Sequence, residues 1–492
     1  MEGKRIVAMG LGRSGLAVAR AALAHGALPI VVDEKVDLLK PELVDEARAE
    51  GIDVRLGWSG TFGELRPDMV VVNPAVDSRH PKLQEEGIEF VSEVEFAYRI
   101  AKGPIVGITG TNGKSTTTVM TFLALKACGL EPLLCGNLYG SGYPEAPLTE
   151  AALAGKPGQP LVAEISSFGL EWTSTFRPRA AAITNIKPDH LDRYDSFEDY
   201  AATKMRLFAG QTAEDYAVVR ANDPVVAPPC GQANAYVPRH RRTLSPGGAQ
   251  GTGSCPHVLT FGATGEHARV EEIQIVILDT TIPIDSLPWT EPHNHANAAC
   301  AALLAYGLLK AIDSPLIDQA LAARPKPSIF ATRKEETPAL PPQIVAGLRE
   351  FRGLAHRMEL VGERGGIKVV NNSMCTNPDA VVNSALALKD PAHLLIGGVN
   401  KGLDFTPLGR MLGGGRHHAY LYGRDAKQID AEMGGRFPVF DTMRQAFEAA
   451  TGAAHAGEVV MLAPGCASSD QFRDFRHRGD EFRAMAQEWI QR

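Results

Sequence analysis

The segment Ile105-Val106-Gly107-Ile108-Thr109-Gly110-Thr111-Asn112-Gly113-Lys114-Ser115 constrains the fold more than any other stretch of this 492-residue chain. A short apolar strand empties into a glycine loop, and Lys and Ser then open a helix. Such a strand, bounded at once by a helix, belongs to a parallel sheet with helices on its faces. The pattern starts twice more. Arg5-Ile6-Val7-Ala8-Met9 runs into Gly10-Leu11-Gly12-Arg13-Ser14-Gly15 and an Ala/Leu-rich helix, followed by a strand at 28–32 that ends at Asp33, and a further strand at 69–72 ends in the turn Asn73-Pro74-Ala75. Near the other end, 367–370, 393–396 and 459–462 alternate with helical stretches, and 160–163 and 180–183 add strands to the middle. The expected fold is α/β with parallel sheets throughout: a Rossmann-like domain over 1–102, a central domain carrying the glycine loop over 103–354 and a Rossmann-like domain over 355–492. A length near three times the usual ~150 residues per domain agrees with this division.

The glycine loop defines a chemistry. Backbone N–H groups of such a loop point inward and the helix N-terminus adds positive potential, so the oxygens of a triphosphate can be cradled there. Lys114 reaches the β/γ oxygens and the Ser115 hydroxyl can sit on Mg²⁺. The segment departs from the strict P-loop pattern in having Ile108 at the first glycine position. Glu164, at the end of the 160–163 strand, is the second carboxylate that such a metal needs, with a helix-cap role as the alternative. Thr184-Asn185-Ile186-Lys187-Pro188-Asp189-His190-Leu191-Asp192-Arg193-Tyr194 follows another strand and gathers acid, imidazole and guanidinium within five residues, a density that points to metal or phosphate. Net charge is −7, from 50 Lys+Arg against 57 Asp+Glu, so general attraction to nucleic acid or an anionic membrane is not expected. No apolar run nears the ~18 residues of a membrane span. Seven scattered cysteines (Cys128, Cys135, Cys230, Cys255, Cys300, Cys375, Cys466) without a C-x-x-C pair predict neither a disulfide framework nor a zinc knuckle, and fit the cytoplasm. Pro/Gly-rich 225–268 is read as an elaborated surface region, and 324–342, with five Pro, as a hinge.

These motifs carry a resemblance. Thr109 to Ser115, Asp189-His190, His293-Asn294-His295-Ala296-Asn297, Gly353-Leu354-Ala355-His356-Arg357 and Ala463-Pro464-Gly465-Cys466-Ala467-Ser468 resemble the Mur ligases, ATP-dependent amino-acid ligases of bacterial cell-wall precursor synthesis, and the likeness spans nearly the whole chain. It implies formation of an amide bond between UDP-N-acetylmuramoyl-L-alanine and glutamate through an acyl phosphate, with ATP and Mg²⁺ and no partner beyond small molecules, by a monomer. Gly110, Thr111, Asn112, Gly113, Lys114, Ser115 and Thr116 would hold ATP, Asn294 and Asn297 would meet adenine, and Arg357 would reach the phosphates. Ser115, Glu164, His190 and Lys204 would serve the metal ions, Lys204 as the lysine that the family carbamylates. Gly12, Arg13, Ser14, Asp33, Asn73 and Asn137 would take the UDP substrate, which re-reads the N-terminal G-x-G-x-x-G as a UDP cradle rather than a dinucleotide site. Thr376, Ser468 and Phe475 would line the amino-acid pocket. Lys114, His190, Lys204 and Arg357 are the expected catalytic set.

Two departures stand out. Glutamate-adding members carry Asn-Asp-Ser-Lys-Ala-Thr-Asn where this chain has Asn371-Asn372-Ser373-Met374-Cys375-Thr376-Asn377, so a lysine expected to meet the glutamate side chain is Met374, with Lys401 or Arg473 as replacement cations. An amide expected beside the muramoyl group is replaced by Gly169 in Glu164-Ile165-Ser166-Ser167-Phe168-Gly169. Another amino-acid ligase of the superfamily, a folylpolyglutamate synthase among them, and a catalytically silent nucleotide-binding partner remain as alternatives.

Overall fold

The computed structural model describes residues 1–36, 41–190, 193–226, 255–289, 292–323 and 338–492. The expected surface segments Pro228-Pro229-Cys230-Gly231 and Ser245-Pro246-Gly247-Gly248, the Leu191-Asp192 pair and most of the expected hinge lie outside the described residues. Among the described residues twenty strands form three sheets. The first contains β1 (Arg5–Met9), β2 (Leu28–Asp33), β3 (Asp53–Leu56), β4 (Met69–Val72) and β5 (Phe90–Ser92), all parallel, in the order β3-β2-β1-β4-β5. The second contains β6 (Ile105–Thr109), β7 (Leu133–Gly136), β8 (Leu161–Glu164), β9 (Ala180–Ile183), β10 (Tyr216–Arg220), β11 (His257–Gly262), β12 (Ala268–Val270), β13 (Gln274–Ile277) and β14 (Thr280–Pro283), in the order β14-β13-β12-β11-β10-β9-β6-β8-β7. The third contains β15 (Glu359–Arg364), β16 (Ile367–Asn371), β17 (Ala392–Gly397), β18 (His418–Tyr422), β19 (Val439–Phe440) and β20 (Val459–Leu462), in the order β15-β16-β20-β17-β18-β19.

The α/β class with three parallel-dominated sheets agrees with the sequence reading, but "parallel throughout" does not. β12, β13 and β14 pair antiparallel, as do β15 and β16. The physical reason is connection length. Two residues, Leu278 and Asp279, join β13 to β14, and Gly365-Gly366, both at positive φ, join β15 to β16, whereas a parallel crossover needs a dozen or more. A second correction concerns the region read as surface elaboration, since 257–262 is β11, paired in parallel with β10 over His257–Phe261. The chain divides into two compact units: residues 1–139 with 144–352, which hold the first two sheets, and residues 140–143 with 353–492, which hold the third. Among the described residues no single helix is long and apolar enough to cross a membrane, and the described cysteines are free.

Within the first unit, one buried cluster runs from Ile6 and Val31 of the first sheet through Phe96 and Ala97 to Ala163, Ile183 and Val219 of the second. The helix Glu93–Ile100 joins the two. Ser92 caps it by accepting from the Glu95 N–H, and two glutamates on it reach into the second layer. Glu93 accepts from the Thr149 N–H at 2.6 Å, in the first turn of the helix Leu148–Ala154. Glu95, with a fully buried side chain, accepts from the backbone N–H groups of Ser174 (2.9 Å), Thr175 (3.0 Å) and Phe176 (3.0 Å), from the Ser174 hydroxyl (3.1 Å) and from Arg99 Nε (3.0 Å). Burial alone raises the pKa of Glu95, but the hydrogen bonds from Thr175 and Ser174 and the charge of Arg99 outweigh it and hold the carboxyl below its ordinary value of 4.5.

Replacing Glu95 by Ala leaves several buried donors without an acceptor and is expected to cost about 3–5 kcal/mol in urea unfolding. A folded pKa below the unfolded one means that this stabilisation is complete above about pH 4.5 and is lost as pH falls through the folded value, so the wild type should lose stability on acidification more steeply than Glu95→Ala. Equal stability of the two proteins at pH 7 would contradict the role given to this carboxylate.

Candidate active site

All five residues of β6 are buried between β8 and β9, and the strand delivers the chain to Gly110 at the C-terminal edge of the second sheet. Gly110 has φ +145°, and a Cβ there would fall inside the Thr184 hydroxyl; Gly113 has φ +83°, and a Cβ there would lie 2.5 Å from Asn297 Oδ1. Only glycine fits either place. The loop is braced from the 184–187 segment. Asn185 O accepts from the Thr111 N–H (2.8 Å), Asn185 Oδ1 accepts from the Asn112 N–H (3.1 Å), and Thr184 Oγ1 (2.6 Å) and Asn185 Nδ2 (2.9 Å) both donate to the Asn112 carbonyl. The Thr111 hydroxyl meets Tyr200 OH at 3.2 Å. The helix Lys114–Ala127 then begins at Gly113 with no side-chain cap, so its first-turn N–H groups face the loop mouth. Lys114 Nζ folds onto the Thr111 carbonyl at 2.9 Å, and Ser115 and Thr116 are buried in the same turn.

Glu164 ends β8 at 3% exposure; Oε1 accepts from Asn137 Nδ2 at 3.4 Å, while Oε2 is buried and has no hydrogen-bond partner among the described residues. A buried anionic oxygen left in this state is costly unless a cation meets it. Lys204, on the helix Phe197–Met205, is 2% exposed, donates to the Gly110 carbonyl at 3.0 Å and holds Nζ 4.7 Å from the Tyr200 ring centre. Burial, and secondarily the charge of Lys114, pushes its amine down to about 7, against the pull of Asp189 and Glu164. His190 stands exposed at φ +53°, its ring 4.9 Å from Phe168 edge-on and its Nε2 3.7 Å from Asp189. Among the described residues no three His, Cys, Asp or Glu side chains form a ready-made metal cage. The donor set present, one orphaned carboxylate oxygen beside hydroxyls and an anion cradle, instead suits Mg²⁺ shared with phosphate oxygens.

The fold therefore brings together Gly110 to Thr116, Glu164, Lys204 and Asn297, with Asn294 3.4 Å from Asn297 Nδ2. Asn137, expected at the UDP substrate, is here a partner of Glu164. In the first sheet Asp33 Oδ2 accepts from the Leu11 N–H (2.9 Å) and so braces the N-terminal glycine loop, Gly12 caps the helix Arg13–Ala24, Ser14 lies in its first turn, and Asn73 packs against the loop from β4. Arg13 is engaged by Glu145. The second unit holds Arg357, Thr376, Ser468 and Phe475. Arg357 is exposed, Thr376 precedes the Asn377 cap of the helix Pro378–Ala387, Ser468 is buried, and the Phe475 carbonyl accepts from the Ser373 hydroxyl at 2.7 Å. Met374 is half-buried, with its N–H on the His356 carbonyl, while Lys401 and Arg473 are exposed in loops of the same unit. At Gly169 a Cβ would meet Val94 Cγ2 at 3.0 Å, which explains the missing side chain by packing.

Sequence reasoning missed Arg478. It is fully buried and donates to the Ser373 hydroxyl (3.0 Å), the Ser373 carbonyl (3.0 Å) and the Cys466 carbonyl (3.1 Å), tying together the loops that carry Met374, Thr376 and Ser468. Its place in a charged C-terminal helix made it look like solvent-facing surface.

Residues 108–305 match the Mur ligase middle domain and 356–466 the Mur ligase, glutamate ligase domain. The chain is similar to the UDP-N-acetylmuramoylalanine–D-glutamate ligase of Thermoanaerobacter pseudethanolicus, 35% identical over 500 residues and covering 99% of each chain, and to that of Geobacter metallireducens, 34% identical over 98% of this chain and 97% of the other. In fold it is similar to MurF from Acinetobacter baumannii, with TM-score 0.55 and 15% identity over 94% of this chain and 91% of that one. An ATP-loop α/β ligase is the class that the fold and the cradle define, and the chain belongs to the Mur ligase family.

Lys114→Ala should lower ATP turnover by about 10²-fold or more while leaving the unfolding transition in place, because the residue sits on a loop and not in a core. Near-normal turnover would remove the phosphate-loop assignment.

Proposed function

We propose that this protein uses ATP to join D-glutamate to UDP-N-acetylmuramoyl-L-alanine in peptidoglycan precursor synthesis, acting as a cytoplasmic monomer. The observation that carries the reading is the uncapped helix start at Gly113-Lys114 with the unpartnered Glu164 oxygen and buried Lys204 beside it, in a chain similar over its full length to D-glutamate ligases. The substrate carboxylate attacks the γ-phosphorus and ADP leaves; the amine of the amino acid then attacks the acyl carbon and phosphate leaves. The loop N–H groups and Lys114 bind and orient the triphosphate and offset charge gathering on the transferred group, the work that dominates phosphoryl transfer. Ser115, Glu164, His190 and a modified Lys204 would hold Mg²⁺, which would supply further charge neutralisation.

The remaining assignments belong to the same proposal. Asn294 and Asn297 face adenine, and Gly12, Arg13, Ser14, Asp33, Asn73 and Asn137 serve the UDP substrate. Arg357 reaches the phosphates, while Thr376, Ser468 and Phe475 line the amino-acid pocket. The domains run 1–102, 103–354 and 355–492. A glutamate side-chain carboxylate buried without a cation is costly, so Lys401 or Arg473 stands in for the lysine absent at Met374. Release of ADP with UDP-N-acetylmuramoyl-L-alanine and one amino acid at a time tests the reading. D-Glutamate should be the preferred amino acid, and Met374→Lys should leave its use unchanged or improved. Faster ligation of an uncharged amino acid would overturn the glutamate assignment, and absence of ADP release with every amino acid would overturn the enzyme.

Addition of CO₂ to the Lys204 amine would turn a buried cation into a carboxylate-like metal ligand and remove an unpaired charge from the interior. Protein equilibrated with ¹³C-bicarbonate should show a carbamate carbonyl signal that Lys204→Ala abolishes along with most activity. A fully active Lys204→Ala protein would contradict it.

A further inference from the structure

We propose that Arg193 is a positioning residue that fixes how far the N-terminal glycine loop lies from the phosphate loop. The side chain is 11% exposed and spans the two sheets of the first unit. Its Nη1 donates to the Pro74 carbonyl at 2.7 Å and Nη2 to the Val76 carbonyl at 2.7 Å, both in the turn after β4. From the same planar fork, Nε and Nη2 donate to the two oxygens of Glu171 at 3.2 and 2.8 Å, and Tyr194 OH adds a third bond to that carboxylate at 2.9 Å. The guanidinium lies 3.9 Å from the centre of the Phe168 ring, against whose edge His190 packs. Four of the five N–H donors are thus used on two elements of different sheets, an arrangement open to the arginine fork and closed to a lysine ammonium.

What the fork grips on each side gives the contact its meaning. The gripped turn is closed by the Val76 N–H on the Asn73 carbonyl at 2.9 Å and by the Ala75 N–H on Asn73 Oδ1 at 2.9 Å. Asn73 lies 3.3 Å from where a Cβ on Gly10 would stand and 3.4 Å from one on Gly12, so the turn supports the N-terminal glycine loop directly. On the other side, the N–H groups of Arg193 and Tyr194 both close onto the His190 carbonyl, at 3.0 and 3.2 Å, and Thr184 and Asn185, upstream in the same crossover, brace Asn112. Tyr194, on the same Glu171 carboxylate, packs its ring 5.3 Å from that of Tyr200, whose hydroxyl meets Thr111, so Gly12, Asn73, the 73–76 turn, Arg193, Glu171, Tyr194, Tyr200 and Thr111 form one line of contacts between the two glycine loops. Glu93 and Glu95 tie the sheets together at the joining helix and Arg13 meets Glu145 from the N-terminal glycine loop, while this fork holds the 73–76 turn at the loop edge. A reaction that needs a carboxylate delivered to a γ-phosphorus is sensitive to the separation of the two glycine loops, since a misplacement of about 1 Å can cost ~10²-fold in rate.

The test uses the full chain carrying Arg193→Lys, which keeps the charge beside Glu171 but not the fork. Backbone hydrogen exchange in the nucleotide-free protein should quicken in residues 73–80 and 10–16 and stay unchanged in 109–118. With ATP, UDP-N-acetylmuramoyl-L-alanine and D-glutamate, kcat should fall about 10-fold or more while KM for ATP changes by less than about twofold. The kinetic arm rests on the proposed ligase function and the exchange arm does not, so a wild-type protein without ligase activity removes that function while exchange still decides the positioning role. Quickened exchange confined to 190–195, or a general loss of fold with kcat per folded molecule intact, would overturn the proposal.

Discussion

The site depends on one arrangement: a helix that starts without a side-chain cap at the end of a strand buried on both faces. The helix Lys114–Ala127 starts at Gly113, which supplies no side-chain cap to its first turn. An anion at that point completes the helix electrostatically, and Thr184, Asn185 and Tyr200 hold the loop open for it from outside. Lys114 adds positive charge at the loop, and Glu164 presents an oxygen that nothing among the described residues satisfies. A magnesium–triphosphate ligand would meet both the loop and the Glu164 oxygen.

The surroundings of the loop are built for rigidity. Buried carboxylates with many donors, Glu95 above all, anchor the helix between the first two sheets, and the Arg193 fork joins their C-terminal edges. In the second unit a buried arginine does similar work, since Arg478 holds the loops after β16 and β20 through backbone carbonyls. Both arginines act as cross-braces whose geometry comes from a planar set of donors.

Much of this was legible in the sequence where the signal is local. The β6–loop–helix unit needs only its own residues, and the place of Glu164 at a strand end was readable from the apolar run before it. The antiparallel strands β12 to β14 were not, because short apolar runs carry no sign of direction, although Gly365-Gly366 was a readable hairpin signal before β16. β11 was hidden by the Pro- and Gly-rich stretch before it. Arg193 and Arg478 were unreadable for a deeper reason. Their partners are carbonyls and carboxylates distant in sequence, Pro74 and Ser373 among them, and a single sequence does not encode which backbone carbonyl an arginine will meet.

The central claim is that the cradle around Lys114 activates a carboxylate by phosphoryl transfer before the amine arrives. The most direct measurement follows oxygen. With UDP-N-acetylmuramoyl-L-alanine carrying ¹⁸O in its alanine carboxylate, one labelled oxygen should appear in the phosphate released as amide forms. Release of unlabelled phosphate as amide forms, with the displaced labelled oxygen found in AMP or in water, would contradict the account.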